Sequence, residues 1–401
     1  MKNEVYIVDG VRTAIGKYGG ALSSVRADDL ASFVIRKLIE KNKNIDSSEI
    51  SDVIFGCANQ SGEDNRNIAR MALLLAGLPQ TVPGVTINRL CASGMNAVSI
   101  AANSISSGNG DLFIAGGVEN MSRSPWVIAK SGETFSRTPE IFDTTIGWRF
   151  VNPKMKEIYG IDSMGQTAEN VAEYLKISRK LQDEFAFNSQ QKAIKSIKSG
   201  RFKKEITSIE ILKGKEKIIF ETDEYPRFET SLEKLATLKP AFKKDGTVTA
   251  GNSSGINDGA CAILLASENA IKKYNLKPIA KFISTAVCGV EPRLMGLGPV
   301  SSTKKVLQNS SLELNKINII EINEAFSAQV LGCLQELKID INDERVNPNG
   351  GAIALGHPLG MSGARLILTA ALELQEKNKN YALCTMCVGV GQGMSTIIER
   401  I

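Results

Sequence analysis

Two passages 266 positions apart carry the same pattern, and this repeat restricts the chain to folds built from two similar halves. In the first, Asp52–Gly56 reads as a buried strand. A short extended run over 85–88 then leads Cys91 into the first turn of a helix reaching about Ser106, and residues 111–117 form a strand ending in glycines. In the second, residues 317–322 are the buried strand. The glycine-dense stretch 350–363 carries His357 toward a helix over 364–374, and 382–389 is again a strand ending in glycine. The offset that lays His357 on Cys91 also lays Ile319-Ile320 on Val53-Ile54. Alternating strands and helices of these lengths argue for α/β layers around a sheet, with a reactive residue at the same topological place in each half.

With 401 residues, 43% hydrophobic and 23% charged, the chain is long enough for two or three domains with substantial cores. A strand near residues 4–8 and helices over 26–41 and 67–76 complete the first unit. From about residue 122 to 248 the periodicity weakens and Trp, Pro, Arg and Lys accumulate, which reads as an inserted loop domain containing a helix over 179–199. Pro278 marks a boundary, giving domains 1–276 and 277–401. The strand pattern begins within a few residues of Met1, and no apolar run approaches the roughly 18 residues of a membrane span, so the expected location is cytoplasmic. Seven cysteines without framework spacing fit a reducing compartment. A single histidine excludes any site needing two imidazole ligands. The net charge of +5 is mild, but twelve basic against eight acidic residues between Ser196 and Lys244 suit either a polyanionic small molecule or a plain solvated surface. No nucleic-acid signature is present.

The chemistry converges on a few side chains. A thiol at a helix N-terminus faces unpaired N–H groups and the positive end of the helix dipole, both of which favour the thiolate. Alone this is weak, because a cysteine in apolar company is more often a small buried hydrophobe. His357 is the one imidazole able to serve it as a base. Cys387 ends a buried strand and precedes Val-Gly-Val-Gly-Gln-Gly393, whose backbone N–H groups suit an oxyanion. Asn323-Glu-Ala-Phe326 adds polar groups at another strand end. The pair Cys384 and Cys387 resembles a redox or zinc motif, but it opens no helix of a thioredoxin-like unit and has no second pair to complete a zinc site.

Along essentially its whole length the chain resembles the thiolase family. The matching motifs are Asn88-Arg-Leu-Cys-Ala-Ser-Gly94, Gly117-Val-Glu-Asn-Met-Ser122, Thr249-Ala-Gly-Asn-Ser-Ser-Gly255, Asn323-Glu-Ala-Phe326, Asn349-Gly-Gly-Ala-Ile-Ala-Leu-Gly-His-Pro358 and Cys387-Val-Gly389. The resemblance implies the α/β thiolase fold, a five-layered αβαβα sandwich of two similar halves with an inserted loop domain. It also implies a homotetramer built from tight dimers, and thiolytic cleavage or Claisen condensation of acyl-CoA with no metal, prosthetic group or other cofactor. Carried over residue by residue, Cys91 becomes the acyl-carrying nucleophile, His357 its base and Cys387 the second acid and base. The N–H groups of Cys91 and Gly389 form one oxyanion hole, and His357 with a water held by Asn323 forms the other. Arg227 and Ser254 match positions that meet CoA, and Met164 and Phe326 fall on the substrate side. The implied partners are CoA and acyl-CoA, with no nucleic acid or membrane.

One departure concerns the substrate. Many acetoacetyl-CoA thiolases carry His-Met-Gly in the loop domain, where this chain has Ser163-Met-Gly165. That motif, with 143–153 and 357–363, looks like the β-ketoadipyl-CoA thiolase branch. Ser163 is expected to make room for a longer acyl group and Arg149 to pair with a distal carboxylate. An acetyl-CoA acetyltransferase condensing two acetyl-CoA is the alternative. A catalytically silent CoA-binding protein on the same fold is a third reading, opposed by the intact set Cys91, Asn323, His357 and Cys387.

Overall fold

The computed structural model describes residues 3–135, 137–213 and 216–401. The repeat read from the sequence is a repeat of strand order. In the first half the sheet runs Gly84–Ile87, Asp52–Gly56, Leu112–Asn120, Asn257–Ser267, Val5–Arg12, with the first three parallel and the last two antiparallel to their neighbours. In the second half Ile319–Ile322 lies parallel to Tyr381–Val388, followed by antiparallel Gln392–Arg400 and Ala280–Gly289. A parallel bridge between Ile320 and Val346 stands where the Gly84–Ile87 strand stands in the first half. The two sheets join through only two residue pairs, Tyr6 with Lys281 and Ile7 with Ala280.

Helices divide these sheets into five layers. Ala27–Lys41 and Ile68–Leu75 cover the outer face of the first sheet, and Gly298–Ser310 and Ser327–Leu337 the outer side of the second half. Between the sheets lie Ser93–Ser106, here the nucleophile helix, and Leu359–Lys377, the histidine helix, packed on each other and on strands of both halves. Their shared layer is dry: Met95, Val98, Ala101, Met361, Ala364 and Leu368 are fully buried. A helix apolar on every side is what a central layer requires.

The histidine helix begins at Leu359, five residues before the sequence pattern suggests. Gly360 and Gly363 therefore lie within its first turns, and their role is close approach rather than flexibility. A Cβ on Gly363 would sit 2.4 Å from the Met95 nitrogen, and one on Gly94 2.4 Å from the Gly360 carbonyl oxygen. Glycines let the two helices cross backbone on backbone, as side chains here would force them apart.

The segment between the first-half strands holds more structure than the one helix expected from its sequence. Beside Arg179–Lys198 it contains helices Pro153–Tyr159, Met164–Tyr174 and Leu232–Ala236, and hairpins Trp126–Ile128 with Ile141–Asp143 and Ile209–Lys213 with Glu216–Phe220. The Met164–Tyr174 helix packs on Pro292–Leu297 and on Ser327–Leu337, which ties this segment to the second half. Among the described residues no helix is long and apolar enough to cross a membrane.

Candidate active site

Cys91 sits in a 3-10 turn, Leu90–Ala92, that runs directly into the nucleophile helix. Leu90 takes φ +47°, a left-handed conformation that a branched side chain adopts only when its surroundings enforce it. Three contacts hold the turn: Leu90 N–H donates to Asn88 Oδ1 at 2.8 Å, Arg89 N–H to Ser93 Oγ at 2.8 Å, and Ser93 Oγ–H to the Leu90 carbonyl at 2.7 Å. The strained elbow turns the thiol toward the end of the Tyr381–Val388 strand, where the Gly389 N–H and the N–H of Cys91 itself point at its sulfur. Burial nevertheless pushes the thiol up to about 11 against those two donors. The thiolate expected from the helix terminus alone is thus not the resting form, since desolvation outweighs the dipole.

His357 enters from the second half. Gly356, at φ +104°, makes the bend before it, and a Cβ there would strike the Asn257 amide at 2.5 Å. Asn257 accepts from the His357 N–H at 2.9 Å and donates to the Gly16 carbonyl at 2.9 Å, which fixes the backbone beneath the ring. Ser362 donates its hydroxyl proton to the Pro358 carbonyl at 2.8 Å, so its oxygen is free to accept from His357 Nδ1–H at 2.6 Å. That network assigns the tautomer: Nε2 carries a lone pair, directed at Asn323 Nδ2 3.3 Å away. Burial, helped by the charge of Arg365, pulls the imidazole down to about 3. The ring is neutral at rest, with the Nε2 lone pair unprotonated.

Cys387 is fully buried at the end of its strand in an apolar cluster with Phe326, Met295, Ala325 and Met164. Burial first, then the nearby thiol of Cys91, holds its thiol well above the ordinary range. Met164 closes the site from the inserted segment, its Sδ lying 3.7 Å from where a Cβ on Gly389 would be. Ser163 caps that helix, accepting from Gln166 N–H at 3.3 Å, and Gly165 gives way to the Phe242 ring, which stacks edge-on with Phe326 at 6.1 Å. The structure thus brings Cys91, Gly389, Cys387, Met164 and Phe326 to one place, with His357 and Asn323 paired on the second-half side. The Asn323 Oδ1 has no partner among the described residues, although it is buried.

The CoA-side residues lie farther out. Ser254 N–H donates to the Ala325 carbonyl at 2.9 Å, beside the antiparallel bridge of Ser253 with Phe326. Arg227 is exposed, lies over the Tyr225 ring, and lines a cavity of about 420 Å³ with Phe228, Thr230, Lys234 and Leu238. Its backbone N–H donates to Gln190 Oε1, whose Nε2 donates to the Ile353 carbonyl close before His357. Arg149 lies between the loop after Gly56 and the residues leading to Ser163.

Sequence reasoning missed three supporting side chains. Ser362 stands five positions after His357 inside the motif and sets its tautomer. Glu119 is buried and pushed up to about 7 by burial; it accepts from the N–H groups of Ala58, Asn59 and Gly360, so one carboxyl ties the first-half loop to the start of the histidine helix. Glu324 accepts from Ser189, Asn347 and Ile353 N–H, tying the inserted segment to the second half. A lone acid in an apolar strand was the available signal for Glu119. Cys57, Asp64 and Glu119 are the one group of metal-ligand type among the described residues, with ligand atoms within 4.8 Å of each other. The two carboxylates already accept from five backbone N–H groups, which accounts for their placement without an ion.

A buried thiol served by two convergent N–H groups, a second thiol beside it and a neutral imidazole define an acyl-transferring thiol enzyme. The chain belongs to the thiolase family: the model of the thiolase N-terminal domain matches residues 5–269 and that of the C-terminal domain residues 276–400. It is 58% identical over 400 residues to the 3-oxoadipyl-CoA/3-oxo-5,6-dehydrosuberyl-CoA thiolase of Escherichia coli K12, covering 99% of this chain and all of that one. It is 55% identical over 401 residues to the beta-ketoadipyl-CoA thiolase of Pseudomonas aeruginosa, covering both chains fully. The crystal structure of the Bacillus anthracis acetyl-CoA acetyltransferase superimposes with a TM-score of 0.93 at 40% identity, covering 100% of this chain and 99% of that one.

Proposed function

We infer that the chain catalyses CoA-dependent thiolysis of 3-oxoadipyl-CoA to acetyl-CoA and succinyl-CoA through an acyl-Cys91 intermediate, a step of aromatic-compound catabolism. One observation carries the chemistry: the Cys91 sulfur lies under the N–H groups of Gly389 and Cys91, with the Cys387 thiol alongside. The substrate rests on full-length similarity to thiolases named for 3-oxoadipyl-CoA.

A thiol near 11 and an imidazole near 3 do not exchange a proton at rest. The transfer from Cys91 to His357 Nε2 therefore accompanies attack of sulfur on the keto carbon, when the new oxyanion makes it favourable. The bond between Cα and Cβ breaks, leaving the acyl group on Cys91 and the electron pair as the acetyl-CoA enolate. Cys387 protonates that enolate. Its thiolate then takes the proton of incoming CoA, the CoA sulfur attacks the acyl-Cys91 thioester, and Cys91 leaves with the proton from His357. In this reading Asn323 holds a water with its free Oδ1 beside the imidazole, completing the second donor pair; Arg227 and Ser254 receive CoA; and no metal or prosthetic group takes part.

The reverse condensation of two acetyl-CoA is the second reading, supported by similarity to a structure titled an acetyl-CoA acetyltransferase. Thiolysis rates for 3-oxoadipyl-CoA and acetoacetyl-CoA decide between them: a higher kcat/KM on the six-carbon substrate is expected, and a clear preference for the four-carbon one would overturn the substrate assignment. The reading includes a cytoplasmic homotetramer. It is supported by the open edge of the Gly84–Ile87 strand among the described residues and by exposed Trp126, Ile128 and Ile141 on one hairpin. Light scattering on the purified chain tests the assembly.

A further inference from the structure

We propose that Arg149, docked on the loop after Gly56, is the seat of the substrate's distal carboxylate; this rests on the reading that the acyl chain ends in one. Two walls locate the seat. Asn88, which holds the Cys91 elbow, also donates from Nδ2 to the Ala58 carbonyl at 3.0 Å, so the loop abuts the nucleophile turn. On the other side Trp148 donates from Nε1 to the Asp162 carbonyl at 3.3 Å, one residue before Ser163 and two before the Met164 that reaches Gly389. Arg149 spans the gap, donating from Nη2 to the Asn59 carbonyl and to Ser61 Oγ, each at 3.3 Å.

The guanidinium forms no ion pair among the described residues, although Glu63 and Asp64 stand two and three positions after its partner Ser61. Glu63 is taken by Arg26 and Arg123. Asp64 is turned inward, accepting from the N–H groups of Gly62 and Gln60 and from the Cys57 thiol. Of the arginines that stand around these two segments, Arg123 pairs with Glu63, Arg293 pairs with Asp162, and Arg89 is held by Asn96 and Gln392. Among the described residues, Arg149 is held only through Nη2, on neutral acceptors, which leaves Nε and Nη1 open. A half-buried cation without a counter-charge is costly, whereas a planar fork with two open donors matches an incoming carboxylate. In 3-oxoadipyl-CoA the carboxyl carbon lies three carbon–carbon bonds from the keto carbon, roughly 4 Å when extended. The reader must therefore stand at the rim of the nucleophile's own pocket, where the two walls hold Arg149. Asn59 keeps the platform rigid, donating to Ser124 and Thr144 and accepting from Ser61 N–H.

The test compares 3-oxoadipyl-CoA with 3-oxohexanoyl-CoA, a chain of equal length that ends in methyl, for wild type, Arg149→Met and Arg149→Lys. The expected result is that the ratio of the two kcat/KM values falls about 30- to 100-fold in Arg149→Met, mostly through KM for 3-oxoadipyl-CoA, and about 3- to 10-fold in Arg149→Lys, which keeps the charge but not the fork. An unchanged ratio in Arg149→Met, or equal losses on both substrates, would overturn the proposal by assigning Arg149 a structural role or none. A wild type that does not favour the carboxylate-bearing chain would instead overturn the substrate reading on which it rests.

Discussion

The two central helix starts occupy equivalent places in two similar halves yet are built for different tasks. At the nucleophile helix the strain sits in Leu90, a residue that resists it, and the turn aims a sulfur at converging N–H groups. At the histidine helix the bend is made by Gly356, which bears it easily, and the side chain is held by Ser362 and Asn323 as a neutral base. In the proposed reaction the first start makes and breaks a covalent bond, and the second moves a proton. The same topology therefore sets positions, while the residues within one turn of each start set roles.

The largest expected effect separates bond-making from proton transfer: Cys91→Ala should lower thiolysis by roughly 10⁴-fold or more, because the neighbouring thiol of Cys387 lies in a different apolar wall and cannot take its place. Removing a donor on the second-half side comes next. Asn323→Ala should cost about 100- to 1,000-fold in kcat with a smaller change in KM, as expected for a group that acts in the transition state. Ser362→Ala should cost about 10-fold, because it releases Nδ1 and lets the imidazole adopt the tautomer with its proton on Nε2; nitrogen shifts of the single histidine would report the change.

The smallest effect is on stability. The folded imidazole sits near 3 against 6.5 in the unfolded chain, so the unfolded state binds the extra proton as pH falls below 6.5. The stability that neutral His357 contributes at neutral pH is lost progressively from pH 6.5 toward 3, about 2 kcal/mol by pH 5. Urea unfolding at pH 7.5 and 5 should show a change in stability about 2 kcal/mol less favourable in wild type than in His357→Asn. Glu119, raised to about 7, acts in the opposite sense, but it is present in both proteins and cancels in the comparison.

The duplicated strand-to-helix pattern and its two reactive residues were legible because buried strands, glycine-dense crossings and a lone imidazole leave strong local signals. The strand end that carries Cys387 was legible in the same way, whereas the order of the strands within each sheet was not. What the sequence left hidden depends on long-range contact. The inserted segment reads as irregular because its short helices are stabilised by packing on the second half rather than by their own periodicity. Ser163 reads only as a small residue, although it is also the cap of the helix that delivers Met164. The resting protonation of Cys91 was misjudged from the helix terminus, because burial is a property of the folded site. Glu119 joins loops 241 positions apart in sequence, between itself and Gly360, and no local pattern announces that.

The central claim is that Cys91 carries the acyl group and that its twin helix start does not. Intact-mass and peptide-mapping measurements after brief exposure to acetyl-CoA, before and after adding free CoA, test it directly. The account predicts one acetyl group on the peptide containing Cys91, removed by CoA and absent from Cys91→Ala. An acetyl group on Cys387 or on any other residue of the wild type, or none at all, would contradict it.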